Sequence, residues 1–209
     1  MKSRSSNKVQ RLTTLAIFSA IVVVVQLFFG SFTVNGISFS VVLIPIVVGG
    51  AILGPSAGTI LGFLFGLITL INGLCYRDPF TAFLLYSTGT KGTVVTVLVC
   101  LLKATLAGLV SALIYKALKN KNQYIAVILA SAAAPIVNTG IFLLIMILVL
   151  SNELAQVMTN FGITGVSVVN YAIFGLSGIN FIVEFLVNVV LSPAIYTLIK
   201  SISKGKLKA

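Results

Sequence analysis

The stretch Gly50–Gly66, GAILGPSAGTILGFLFG, sets a glycine at every fourth position: Gly50, Gly54, Gly58, Gly62 and Gly66. Residues four apart share one face of an α-helix. This spacing therefore strips one face of side chains and lets a second helix approach closely. Pro55 interrupts the strip, because a proline lacks a backbone donor and is tolerated at the start of a helix rather than inside one. The expectation is two helices, Val41–Leu53 and Ala57–Ile71, joined by a tight turn on the cytoplasmic side. Two uses of the glycine face stay open: packing alone, or a surface on which helices slide.

Outward from this block the chain stays apolar. Of its 209 residues 58% are hydrophobic and only 8% charged, against about 25% charged in a soluble domain. Runs of about 20 apolar residues, enough to cross a hydrocarbon core as helices, recur along it. The fold class is an all-α integral membrane protein. Four further spans fit, roughly Leu12–Phe29, Thr93–Leu118, Tyr124–Leu150 and Ile179–Ile199, making six transmembrane helices. The first begins like a signal peptide, but its apolar run is long and more spans follow, so it is read as retained. The stretch from Asn72 to Gly92 is the most polar internal one. The connection from Ser151 to Gly178 is too apolar for a plain loop and suits an embedded or interfacial segment. No soluble domain or linker is evident, so residues 1–209 form a single membrane domain with a basic start (1–11) and a basic tail (200–209).

The net charge of +11 follows the spans. Lys2, Arg4, Lys8 and Arg11 precede the first, Lys116, Lys119 and Lys121 sit mid-chain, and Lys200, Lys204, Lys206 and Lys208 close it. Six crossings put all of these on one side, with both termini cytoplasmic and Asp78 and Glu153 outside, as the positive-inside rule requires. Nucleic acid is not needed to explain the charge.

Polar residues inside the spans carry the functional question, because each ionisable group there costs about 2.5–3.5 kcal/mol on insertion scales. At a rise of about 1.5 Å per residue, Lys103 lies about 22 Å from the cytoplasmic end of its helix, Asn138 about 21 Å and Glu184 about 24 Å. Three polar groups on three helices thus share one level, in the outer half of the membrane. Asn180, Glu184 and Asn188 follow one another at single-turn spacing and share a face. Three roles are open to Lys103: an internal ion pair with Glu184 that orders the bundle, snorkelling to the outer interface, or attraction of an anionic ligand in a cavity that Asn138, Asn180, Glu184 and Asn188 help to line. The aromatics Phe32, Phe39, Tyr76, Phe80 and Tyr86 are placed to cover such a ligand or to anchor the interface.

Catalysis finds no support. There is no histidine and there are only three acidic residues, which leaves no paired carboxylates or metal cluster. Cys75 and Cys100 lack ligand spacing and read as small apolar side chains. The repeated-aspartate signature of CDP-alcohol transferases and the P-loop pattern are both absent. No cofactor or metal is called for, and active transport requires an outside source of energy.

Over almost its whole length the chain resembles the S components of energy-coupling factor transporters, six-helix proteins that capture vitamins for a shared ATP-driven module. The resemblance rests on LAIFSA in the first helix, IPIVVGGAILGPSAGTILGFLFGL across the second and third, and the lysine-bearing fourth helix ending in LIYKAL. PIVNTG and NFIVEF add to it. It implies that Ala16 and Ala20 dock on the transmembrane T component, that two cytoplasmic ATPases supply the energy, and that the protein sits in the bacterial plasma membrane. The contexts of Asn138 and Glu184 look most like the pantothenate-type branch, in which a helix-four arginine faces the substrate; Lys103 holds that position here. Pantothenate is the first expectation, with riboflavin, folate or another vitamin as alternatives. A structural or scaffold membrane protein with an internal Lys103–Glu184 pair is the alternative from another class.

Overall fold

The computed structural model describes residues 2–29, 33–34, 37–38 and 41–206, with side chains for 8–28 and 41–202. Phe32 and Phe39 lie outside the described residues, as do the side chains of Lys2, Arg4, Lys204, Lys206 and Lys208. The chain runs through α1 (Lys2–Phe29), a minimal antiparallel pairing of β1 (Thr33–Val34) with β2 (Ile37–Ser38), α2 (Leu43–Leu53) and α3 (Pro55–Leu74). It continues through α4 (Pro79–Tyr86), α5 (Gly89–Leu118), α6 (Gln123–Leu148) and α7 (Ser151–Asn160). A last span is built from α8 (Val168–Asn170), a π-helical segment (Tyr171–Gly178) and α9 (Ile179–Val190), before α10 (Ser192–Lys206). Among the described residues, five helical stretches are long and apolar enough to cross a membrane: Lys8–Phe28, Pro55–Leu74, Gly89–Leu118, Gln123–Leu148 and Val168–Val190.

The remaining apolar helix, α2, has 11 residues and is only about 16 Å long. Its side chains from Val42 to Gly50 are nearly all buried, so α2 lies within the protein rather than against lipid. Its end is set by Gly54, whose φ of 95° is a left-handed value that a side chain would strain. The Gly54 N–H closes α2 by donating to the Gly50 carbonyl at 2.9 Å, and Pro55 starts α3 in the first-turn position. The tight turn read from the sequence is therefore present. The glycine strip is filled by the backbone of α5. A Cβ on Gly58 would strike the Gly108 carbonyl, one on Gly62 the Ala104 carbonyl, and one on Gly66 the Cys100 carbonyl. Gly50 meets Ala112 on the next turn of α5.

Two boundaries differ from the sequence expectation, while the connection after α6 keeps to it. The polar stretch after α3 contains α4, capped by Asp78, whose carboxylate accepts from the Thr81 N–H. The connection after α6 holds the surface helix α7, beginning at Ser151. The last span is not Ile179–Ile199 but Val168–Val190. Pro193 cannot donate to the ladder of α9, so the helix breaks at Leu191 and restarts as α10. That helix turns Ile195 and Ile199 into the core while Lys200 stays exposed, the pattern of an amphipathic helix lying on the bundle rather than the end of a span.

Among the described residues, two large apolar clusters and a small third one of Leu70, Leu85 and Cys100 make up the interior. One large cluster joins Phe18 and Val22 of α1, Ile46 and Val47 of α2, Leu61 of α3, Ala104 of α5, Ala130 and Ala134 of α6 and Ile199 of α10. The other large one joins Phe80 and Leu84 of α4, Val99 of α5, Met146 of α6, Leu154 of α7 and Leu176 of the π segment. At the far end, Lys91 Nζ pairs with Glu153 at 3.2 Å and donates to the Val149 carbonyl at 2.7 Å, which caps α6 and ties α5 to α7. The glycine strip gives a direct test. Gly62→Ala forces α3 and α5 apart and is expected to cost about 1–3 kcal/mol, read as a lower melting midpoint. Gly140→Ala, with nothing within 4 Å of the new methyl group, is expected to leave the midpoint unchanged or to raise it.

Candidate ligand-binding site

On α5 the apolar clusters stop at Cys100 and resume at Ala104, and Lys103 falls in the gap. On α6 the gap lies between Ala134 and Phe142, and Asn138 and Thr139 fall inside it. A cavity occupies this level. Its wall is formed by Asp78, Phe80 and Thr81 at the start of α4, Lys103 of α5, Asn138, Thr139 and Phe142 of α6, and Leu176, Ser177 and Asn180 of the last span. The empty volume is about 450 Å³ including the open mouth. The space it leaves open to water-sized molecules is small, so a larger guest has to part the walls.

Lys103 lies at the midpoint of α5, a helix of about 45 Å that starts four residues earlier than Thr93. Its ammonium sits 4.9 Å from the centroid of Phe142, a cation–π contact that holds the charge over the aromatic wall. No ion pair within 4.0 Å joins Lys103 to Asp78 among the described residues. Asp78 is 8% exposed. It accepts from the Thr81 N–H at 3.3 Å and from the Thr81 hydroxyl at 2.7 Å, an N-cap fixed in place by Pro79 behind it.

Polar atoms without partners gather around the same space. Asn138 and Ser177 are 5% and 4% exposed, yet Asn138 Oδ1 and Ser177 Oγ have no hydrogen-bond partner among the described residues. Asn180 donates through Nδ2 to Glu184 Oε1 at 3.4 Å, which turns its Oδ1, also without a partner there, into a spare acceptor. Each such buried atom costs about 1–3 kcal/mol when left unmade. The π-helical turn that carries Ser177 widens the backbone beside the cavity, a deviation found frequently at functional sites.

Of the residues singled out from sequence, Lys103, Asn138 and Asn180 come together on this wall. Glu184 and Asn188 are buried one and two turns further along α9 and do not line it. Asn188 turns back on its own helix, donating to the Glu184 carbonyl at 2.8 Å. Ala16 and Ala20 are exposed on α1, away from the cavity. Phe80 is part of the wall, whereas Tyr76 and Tyr86 stack on each other with ring centroids 5.0 Å apart. Sequence reasoning missed Asp78, Thr81, Thr139, Phe142, Leu176 and Ser177. The Asp-Pro-Phe-Thr capping pattern marked the first two as a helix start. Thr139 and Phe142 flank Asn138 at helical spacing, and Ser177 precedes Asn180 by three.

The wall offers an ammonium, a carboxylate, amides, hydroxyls and aromatic faces, which suits reversible capture of a small polar molecule. Among the described residues no group of three or more metal-ligating side chains occurs. No curated protein matches the chain. Residues 10–199 match the family model described as ECF transporter, substrate-specific component. The chain therefore belongs to the substrate-specific components of ECF transporters, multi-pass membrane subunits that serve transport rather than catalysis and work with T and ATPase components on a small-molecule substrate.

Proposed function

We propose that this subunit captures a small water-soluble vitamin from outside the bacterial plasma membrane and hands it inward after docking on a T component driven by two cytoplasmic ATPases. Pantothenate is the first candidate, by the contexts of Asn138 and Glu184, followed by riboflavin and folate. In this reading the chain crosses the membrane six times, α2 being the sixth crossing, and both termini are cytoplasmic. The shortness of α2 fits, since a helix sheathed by protein need not match the hydrocarbon thickness with its own apolar length.

The observation that carries the proposal is the cavity midway along the bundle, where Lys103, Asn138 and Asn180 meet and buried polar atoms stand without partners. Lys103 attracts the anionic group. Its ammonium is a point charge rather than a planar fork, so it neutralises a carboxylate without fixing its plane. Asn138 offers a donor and an acceptor beside it. Glu184 acts behind the wall by orienting Asn180. Ala16 and Ala20 leave a shallow, exposed strip on α1 that a helix of the T component can approach closely.

Thermal denaturation of the purified protein with pantothenate, riboflavin and folate tests the capture role. A vitamin present at about 100 times its Kd is expected to stabilise the fold by about 2.7 kcal/mol; no shift with any vitamin overturns the reading. Lys103→Met is expected to lower affinity for a carboxylate-bearing vitamin roughly tenfold or more while the unliganded melting midpoint holds. Unchanged affinity with lost stability instead assigns the lysine to the frame of the bundle. Ala16→Trp or Ala20→Trp is expected to leave binding intact and abolish uptake in cells, and normal uptake by both removes the docking role.

A further inference from the structure

The cavity wall is short of donors on one side. Asn138 Oδ1 and Asn180 Oδ1 have no partner among the described residues, and Asp78 faces the same space with a largely buried carboxylate. An ionised carboxylate has about four acceptor sites on its two oxygens. Thr81 fills one on Oδ1 and one on Oδ2, which leaves about two unfilled. A buried carboxylate is tolerated when hydrogen bonds or charge compensate it. The ammonium of Lys103 is held over Phe142 instead.

We infer that Asp78 is a specificity-determining residue of the binding site: it accepts hydrogen bonds from a donor-bearing head of the ligand, hydroxyl or N–H, while Lys103 takes the anionic group elsewhere on the molecule. The inference rests on the cavity being the vitamin site. It defines the ligand class as a compact molecule with donors set apart from any anionic group and an apolar middle that packs on Phe80 and Phe142. Pantothenate, with two hydroxyls and an amide N–H remote from its carboxylate, has this layout. A simple carboxylic acid without such a head does not. Asn138 of α6 and Asn180 of the last span extend the acceptor surface, and the Glu184 carboxylate keeps Asn180 turned so that its oxygen takes part.

The experiment separates the capping role of Asp78 from its contact with ligand. Asparagine and serine cap helices about as well as aspartate, so Asp78→Asn and Asp78→Ser are expected to keep the unliganded melting midpoint. Titration calorimetry with pantothenate, riboflavin and folate is carried out on the wild type and both variants, and again with pantothenate whose hydroxyls are methylated. The expected result is a loss of roughly ten- to a hundredfold in affinity for whichever vitamin the wild type binds. For pantothenate, methylation and Asp78→Asn are expected to be non-additive, because both remove one interaction. Wild-type affinity in both variants overturns the inference and leaves vitamin capture standing. Loss in the variants with fully additive methylation overturns it too, since Asp78 then acts only through the wall. Failure of the wild type to bind any of the three overturns the capture reading and this inference with it.

Discussion

The approach of the α3 backbone to the α5 backbone fixes most of this molecule. With Gly58, Gly62 and Gly66 against the carbonyls of Gly108, Ala104 and Cys100, the two helices share a seam with no side chains between them. In a membrane, where apolar surface alone gives no preference for protein over lipid, such close contact is a main source of association. It also sets the rotation of α5. The face bearing Cys100, Ala104, Gly108 and Ala112 is committed to α3 and α2. Lys103, one residue and about 100° from Ala104 around the helix, is thereby directed towards α6. The position of the cation is a consequence of a glycine pattern on another helix.

The interior then divides. Apolar side chains fill the space on either side, and the level of Lys103, Asn138 and Ser177 is left to polar groups whose hydrogen-bonding capacity the protein does not meet by itself. A bundle selected only for stability would place apolar residues at these positions, as it does one turn away at Val99 and Ala134. Leaving several acceptors unmade costs about 1–3 kcal/mol each, and a guest that supplies donors recovers that cost. The same energetics link stability to occupancy, since whatever binds the folded cavity favours the folded state.

How much of this was legible in the sequence depended on whether a feature was local. The glycine strip and the Pro55 turn are written in spacing, and the structure carries both. The nearness in depth of Lys103 and Asn138 was legible too, because helical rise converts residue counts to depth, whereas Glu184, set at that level from the sequence, lies one turn beyond the cavity wall. Two things were hidden. The break at Leu191 was masked by apolar residues on both sides of Pro193, so α9 and α10 read as one span and Glu184 was measured from the wrong end. Asp78 read as a loop residue outside the membrane. Its approach to the wall depends on α4 folding back over α5, a tertiary contact that no window of sequence contains.

The elements around the cavity also differ in regularity, and the difference has a direction. The frame, α3 and α5, is uninterrupted helix. The remaining walls are not. α6 carries Pro135, three residues before Asn138, which removes the donor for the Ser131 carbonyl. The last span passes through eight π-helical residues, and α4 is a helix of only 8 residues. Irregular backbone at membrane depth is tolerated only where it is buried in protein or lines a cavity, so its confinement to the three walls facing Lys103 marks the same space as the unpaired side chains do. A narrow chamber that has to widen for a guest needs walls with weaker internal ladders than its frame. The glycine seam can hold α5 fixed while those walls adjust, because its contacts lie on a different face of the helix from Lys103.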